Sequence, residues 1–124
     1  MTNLSLPLVS GNADQEKETV ILIHGMMRTG RSMRRTGVYL ASHGYNIVNC
    51  SYESTKTVGE ITGELFDALS PIIEASPKVH FVTHSLGGII LRNAFKGGVP
   101  SNMGNTVMFG PPNKGCQHID NFSW

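Results

Sequence analysis

The stretch Thr83-His84-Ser85-Leu86-Gly87-Gly88 sets a serine between two apolar runs, Val79-His80-Phe81-Val82 before it and Ile89-Ile90-Leu91 after it. A serine on a sharp strand-to-helix turn, with glycines two and three residues on where the backbone is crowded, holds its Oγ above a sheet for nucleophilic attack. A serine hydroxyl is a weak nucleophile near neutral pH, so acyl transfer also needs a base and donors aimed at the developing oxyanion. Ser85 is the candidate nucleophile. The Leu86 N–H, at the head of the following helix, is one candidate oxyanion donor. The Met26 N–H, in the His24-Gly25-Met26 that follows another apolar run, is the second.

These groups need elements to position them. Thr19-Val20-Ile21-Leu22-Ile23 is an unbroken apolar run of the kind a parallel strand covered on both faces requires. A helix is predicted from Ser32 to His43, with Met33, Gly37 and Leu40 on one side and Gly44 after its end. Tyr45 to Asn49 reads as the next strand. Thr57 and Glu60 have capping-box spacing, and Ile61, Leu65, Leu69, Ile72 and Ile73 follow at helical period, which predicts a helix from Val58 to Ala75 with Pro71 inside it. Val79 to Val82 is a third strand, Leu86 to Phe95 a helix, and Asn105 to Phe109 a fourth strand closed by Gly110-Pro111-Pro112. Leu4 to Val9 is available as an edge strand. Strands alternating with helices predict a doubly wound α/β fold, a mainly parallel sheet with helices on both faces. If Thr19–Ile23 and Val79–Val82 are neighbours, Met26 and Ser85 meet at their carboxyl ends.

A length of 124 residues, 40% of them hydrophobic, suits one domain spanning 1–124. The net charge of +1 generates no field that would recruit nucleic acid or an anionic membrane. No basic, apolar leader and no run of membrane-spanning length is present, so a cytoplasmic location is expected. Cys50 and Cys116 are too few for a disulfide framework and read as thiols.

His-Gly after one strand, Thr-His-Ser-Leu-Gly-Gly after another and Val107-Met108-Phe109-Gly110-Pro111-Pro112-Asn113-Lys114-Gly115 after a third are similar, in order and spacing, to bacterial lipase/esterase-like members of the α/β-hydrolase superfamily. The match runs from Thr19 onward. The resemblance implies that the four strands are the family's third to sixth, in spatial order fourth, third, fifth, sixth. It implies a serine ester hydrolase working through an acyl-enzyme on Ser85, with Met26 and Leu86 as oxyanion donors and His24, Gly25, His84, Gly87 and Gly88 as supporting motif. A small-molecule ester or lipid would be the substrate, with no cofactor. Thr83 stands where the family carries its first elbow glycine, and its side chain is expected to face away from that of Ser85. In the family the acid and base follow the nucleophile, the base after the last strand. Here only His118 and Asp120 come later, in a predicted loop, so the resemblance implies a fold truncated after its sixth strand.

Other readings stand beside this one. A chain with nucleophile and oxyanion donors but no base would be an incomplete fragment or pseudoenzyme that binds acyl ligands. Its last strand would present an open sheet edge, inviting self-association. Gly25-Met26-Met27-Arg28-Thr29-Gly30-Arg31-Ser32 has phosphate-loop spacing with arginine in place of lysine, which would make a nucleotide binder. Yet the strands end in Asn49-Cys50 and Thr83-His84, not in the aspartate that helps hold magnesium. Cys116-x-His118 lacks the second pair a metal site needs. Met26 and Met27 suit either an acyl pocket or ordinary packing. Arg28, Arg31, Arg34 and Arg35 read as a solvated basic face.

Overall fold

A computed structural model of the chain describes residues 9–10, 16–25, 33–53, 55–110 and 117–120. Within these residues six strands form one sheet: β1 (Val9–Ser10), β2 (Thr19–Ile23), β3 (Asn46–Cys50), β4 (Val79–His84), β5 (Met103–Phe109) and β6 (Gln117–Asp120). Their order across the sheet is β1-β3-β2-β4-β5-β6. The central four are parallel, and β1 and β6 pair antiparallel at the two outsides. All five residues of β2 are buried, the consequence of a central strand covered on both faces.

Among the described residues three helices connect the parallel strands: α1 (Arg34–Ala41), α2 (Val58–Ala75) and α3 (Leu86–Ala94). The period-2 alternation along β2 sorts the core into two layers. Val20 and Leu22 pack with Met33, Leu40, Ile47 and Val82 on the α1 side. Ile21 and Ile23 pack with Ile61, Leu65, Leu69, Ile90 and Leu91 of α2 and α3 on the other. Full burial of a side chain such as Leu65 or Ile90 stabilises by about 1.5–3 kcal/mol, which binds each helix to its face. The crossover through α1 leads from β2 to β3, whereas the one through α2 passes back over β2 to β4. Successive crossovers therefore leave β2 and β4 in opposite directions, and the crevice at their carboxyl ends is the natural ligand site of such a sheet.

Local chemistry fixes the ends. The Thr57 side chain accepts from the Glu60 N–H and the Glu60 carboxylate accepts from the Thr57 N–H, so α2 starts at Val58 as the spacing predicts. The Asn102 side-chain amide donates to the carbonyls of Ile73 and Ser76, both at 2.8 Å, and closes the far end of α2. The predicted spatial order of the four parallel strands is the observed one.

The principal departure lies beyond β5. The segment with His118 and Asp120, expected as a loop, forms β6, with His118 opposite Val107 and Asp120 opposite Asn105. A four-residue strand with one aliphatic residue, Ile119, is too short to carry a periodic signal. β5 consequently has a neighbour on each side, and the edge expected to be open along Thr106–Phe109 is covered from Thr106 to Met108. The predicted edge strand at Leu4–Val9 is described only at Val9–Ser10.

Candidate functional site

Ser85 joins the end of β4 to the start of α3 with φ 54° and ψ −118°, the only non-glycine residue with positive φ among those described. Such a backbone costs about 1–3 kcal/mol and persists only where neighbours enforce it. Two hydrogen bonds do so here. The Ser85 N–H donates to the Phe109 carbonyl at 2.8 Å, and the Ser85 carbonyl accepts from the Gly88 N–H at 2.9 Å. Because the serine's own amide is spent on β5, the next N–H, that of Leu86, is the first of α3 without an intrahelical acceptor. The serine itself is half-buried, and among the described residues nothing is hydrogen-bonded to its hydroxyl.

The glycines show how closely the turns approach. A Cβ on Gly87 would lie 2.4 Å from the Ile23 carbonyl oxygen and 2.9 Å from that of His24, so α3 begins directly against the end of β2. A Cβ on Gly25 would meet the Ser85 Cβ, the His84 carbonyl and His84 Nδ1, each at 3.0 Å. Gly25 and Ser85 therefore face one another across the β2–β4 boundary. Gly88 is less constrained; its Cβ would stand 3.3 Å from Met108 Sδ and 3.4 Å from Thr83 Oγ1. Thr83 is fully buried and turned toward α3, its hydroxyl without a hydrogen bond among the described residues.

His24 is fully buried, with both ring nitrogens engaged. Nδ1 lies 2.8 Å from the Gly25 carbonyl, which can only accept, and Nε2 lies 3.3 Å from the Tyr52 N–H, which can only donate. The ring is thus the neutral Nδ1–H tautomer. Burial lowers its pKa, partly opposed by the Gly25 hydrogen bond, in keeping with that neutral form. The Tyr52 hydroxyl donates to the His24 carbonyl at 2.6 Å, and the two rings stack at 4.0 Å and 4°. Tyr52 has no counterpart among the expected site residues. The signal available was its place two residues beyond Cys50, at the end of the strand beside β2, where an aromatic reaches the same crevice. Burial pushes the thiol of Cys50 far up, which makes it inert as a nucleophile.

The structure thus brings Gly25, His84, Ser85, Leu86 and Gly87 to one edge, with His24 and Tyr52 beneath. His84 lies between the Gly25 and Gly110 turns, its Nε2 3.6 Å from the Cβ position of Gly110. Met26, Met27, Arg28, Arg31 and Cys116 lie outside the described residues, as does the phosphate-loop spacing from Met26 to Ser32. Arg34 and Arg35 are exposed at the start of α1. His118 is on β6, two strands from β4. Among the described residues no cluster of three metal-ligating side chains occurs.

No protein-family model matches the sequence, and neither does any curated protein. Solved structures do match. An esterase from Exiguobacterium antarcticum aligns with TM-score 0.69 and 14% identity over 85% of this chain and 41% of that one. Epoxide hydrolase A from Mycobacterium thermoresistibile aligns with TM-score 0.63 and 18% identity over 82% and 34%. A structure from work on carboxylesterases of the thaumarchaeon Nitrososphaera gargenis aligns with TM-score 0.64 and 19% identity over 86% and 42%. The chain has the α/β-hydrolase fold.

The chain spans 34–42% of the length of these α/β-hydrolase structures. Among the described residues no helix is long and apolar enough to cross a membrane.

Proposed function

We propose that the chain carries the nucleophile portion of a serine hydrolase that cleaves carboxylic esters. The observation that carries this reading is Ser85 at φ 54°, braced by Phe109 and Gly88 and facing Gly25 across the crevice. In the reaction the Ser85 Oγ attacks the ester carbonyl while its proton passes to a base. The tetrahedral oxyanion is held by the Leu86 N–H and by a second amide, that of Met26. The alkoxy C–O bond then breaks, the alcohol leaves with the proton, and water attacks the acyl-serine to release the acid.

The residue type favours one of the two chemistries named for the structural neighbours. A serine that opened an epoxide would form an ether, which water does not cleave under mild conditions, whereas an acyl-serine is an ester that hydrolyses. An ester substrate therefore fits Ser85 better. No cofactor is needed.

A fluorophosphonate probe tests the reading: its phosphorus is attacked by Oγ, and fluoride leaves with the hydroxyl proton. Peptide mass spectrometry should place the adduct on Ser85 and find none in Ser85→Ala. An unlabelled Ser85 in folded protein would contradict the proposal. A second reading, acyl binding without turnover, draws on the absence among the described residues of any imidazole bonded to Ser85. It predicts neither a Ser85 adduct nor Ser85-dependent hydrolysis of a short p-nitrophenyl ester, because a serine hydroxyl without a base is a weak nucleophile and oxyanion donors and binding alone leave only about 10³–10⁴-fold catalysis over water.

A further inference from the structure

The turn leaving β2 is clamped from below by a side chain 28 residues away. The Tyr52 hydroxyl donates to the His24 carbonyl at 2.6 Å, its backbone N–H donates to His24 Nε2 at 3.3 Å, and its ring lies flat on the imidazole at 4.0 Å. These contacts constrain His24 at its carbonyl, ring nitrogen and ring face. The ring in turn passes the constraint on, because with Nε2 accepting, Nδ1 must carry the proton that binds the Gly25 carbonyl at 2.8 Å. Gly25 in turn stands against Ser85, since a Cβ on it would lie 3.0 Å from the Ser85 Cβ. The His24 carbonyl has little other freedom, since α3 crosses it at Gly87. Burial, and secondarily Cys50, push the Tyr52 phenol up from its ordinary value, so it remains a donor.

We propose that Tyr52 is a positioning residue of the acyl-transfer site, holding His24 and Gly25 where Gly25 backs the Ser85 turn. The inference rests on the ester hydrolase reading and adds to it a residue on β3's exit that never touches substrate. A merely structural Tyr52 would stabilise the junction of β2 and β3 without altering reactivity at Ser85.

The separating experiment measures fluorophosphonate labelling of the intact 124-residue chain as a function of probe concentration. It uses wild type, Tyr52→Phe, Tyr52→Leu and Ser85→Ala, at a temperature well below each melting point. Tyr52→Phe keeps the stacked ring and loses only the hydroxyl, so it should melt within a few degrees of wild type. Its maximal labelling rate should fall about tenfold at unchanged half-saturating probe concentration, a smaller loss than the 10²–10³ typical of deleting an oxyanion donor itself. Tyr52→Leu, which also loses the stack, should label more slowly still. A Tyr52→Phe protein that labels at the wild-type maximal rate overturns the positioning role and leaves the Ser85 reading intact. A folded wild-type chain that forms no Ser85 adduct overturns the hydrolase reading, and this inference falls with it.

Discussion

At the carboxyl edge of the sheet backbone touches backbone, Gly87 against Ile23 and Gly25 against Ser85, with one aromatic strut beneath. At the amino edge side chains stitch the elements together instead. Asn102 closes α2, the Thr19 and Ser76 hydroxyls pair at 2.9 Å, and His80 bridges Glu18 at 2.7 Å to the Asn105 N–H at 3.0 Å. The two histidines make the contrast concrete. His80 fills a break in the β4–β5 register, where Gly104 and Asn105 both stand between the Val79 and Phe81 pairings, and its Nδ1 accepts the amide that the bulge leaves unpaired. His24 also replaces a backbone partner, but it does so beside a strained serine. Polar stitching tolerates adjustment, because a side chain can move. Backbone contact does not, which is why the edge that needs fixed geometry is built from glycine.

Substitutions at the two edges should separate stability from site geometry. Gly87→Ala carries the largest effect: its Cβ would overlap a carbonyl oxygen at 2.4 Å, and neither main chain can yield cheaply. A loss of about 3 kcal/mol in urea unfolding is expected, together with loss of Ser85 labelling in the protein that remains folded. Unaltered labelling would show that α3 does not need to sit against β2. Asn102→Ala removes two hydrogen bonds at the opposite edge, about 2 kcal/mol, and should leave the labelling rate of the folded fraction unchanged. A change in that rate would mean that the two edges are coupled.

Burial depresses the pKa of His24, so the unfolded chain takes up this proton near pH 6.5 while the folded chain resists it to lower pH. The stabilisation is complete above about pH 6.5 and is lost as pH falls through the window beneath, with a slope of at most about 1.4 kcal/mol per pH unit. Urea midpoints at pH 7.5 and 5.5 should therefore diverge more for wild type than for His24→Asn. Equal divergence would contradict the neutral, doubly engaged imidazole.

Much of this frame was legible in the sequence because its signals are local. Thr19–Ile23 announces a strand covered on both faces, Thr57 and Glu60 mark the start of α2, and Ser85 with Gly87 and Gly88 marks a crowded turn. What escaped reading depends on partners far along the chain. Nothing around Tyr52 indicates that it will lie on His24, and nothing around Gly104 shows that His80 will occupy the space its missing Cβ leaves. β6 escaped for a related reason: its pairing is set by β5, not by any period within Gln117–Asp120.

Ester hydrolysis through Ser85 requires the turn after β4 to hold the hydroxyl outward with the Leu86 amide beside it. A crystal structure of the protein after reaction with a fluorophosphonate tests this directly. A phosphoryl oxygen is expected within about 2.7–3.1 Å of the Leu86 nitrogen, with Ser85 retaining positive φ. An adduct whose oxygens all face away from that amide, or a Ser85 with ordinary negative φ and its side chain turned into the core, would contradict it.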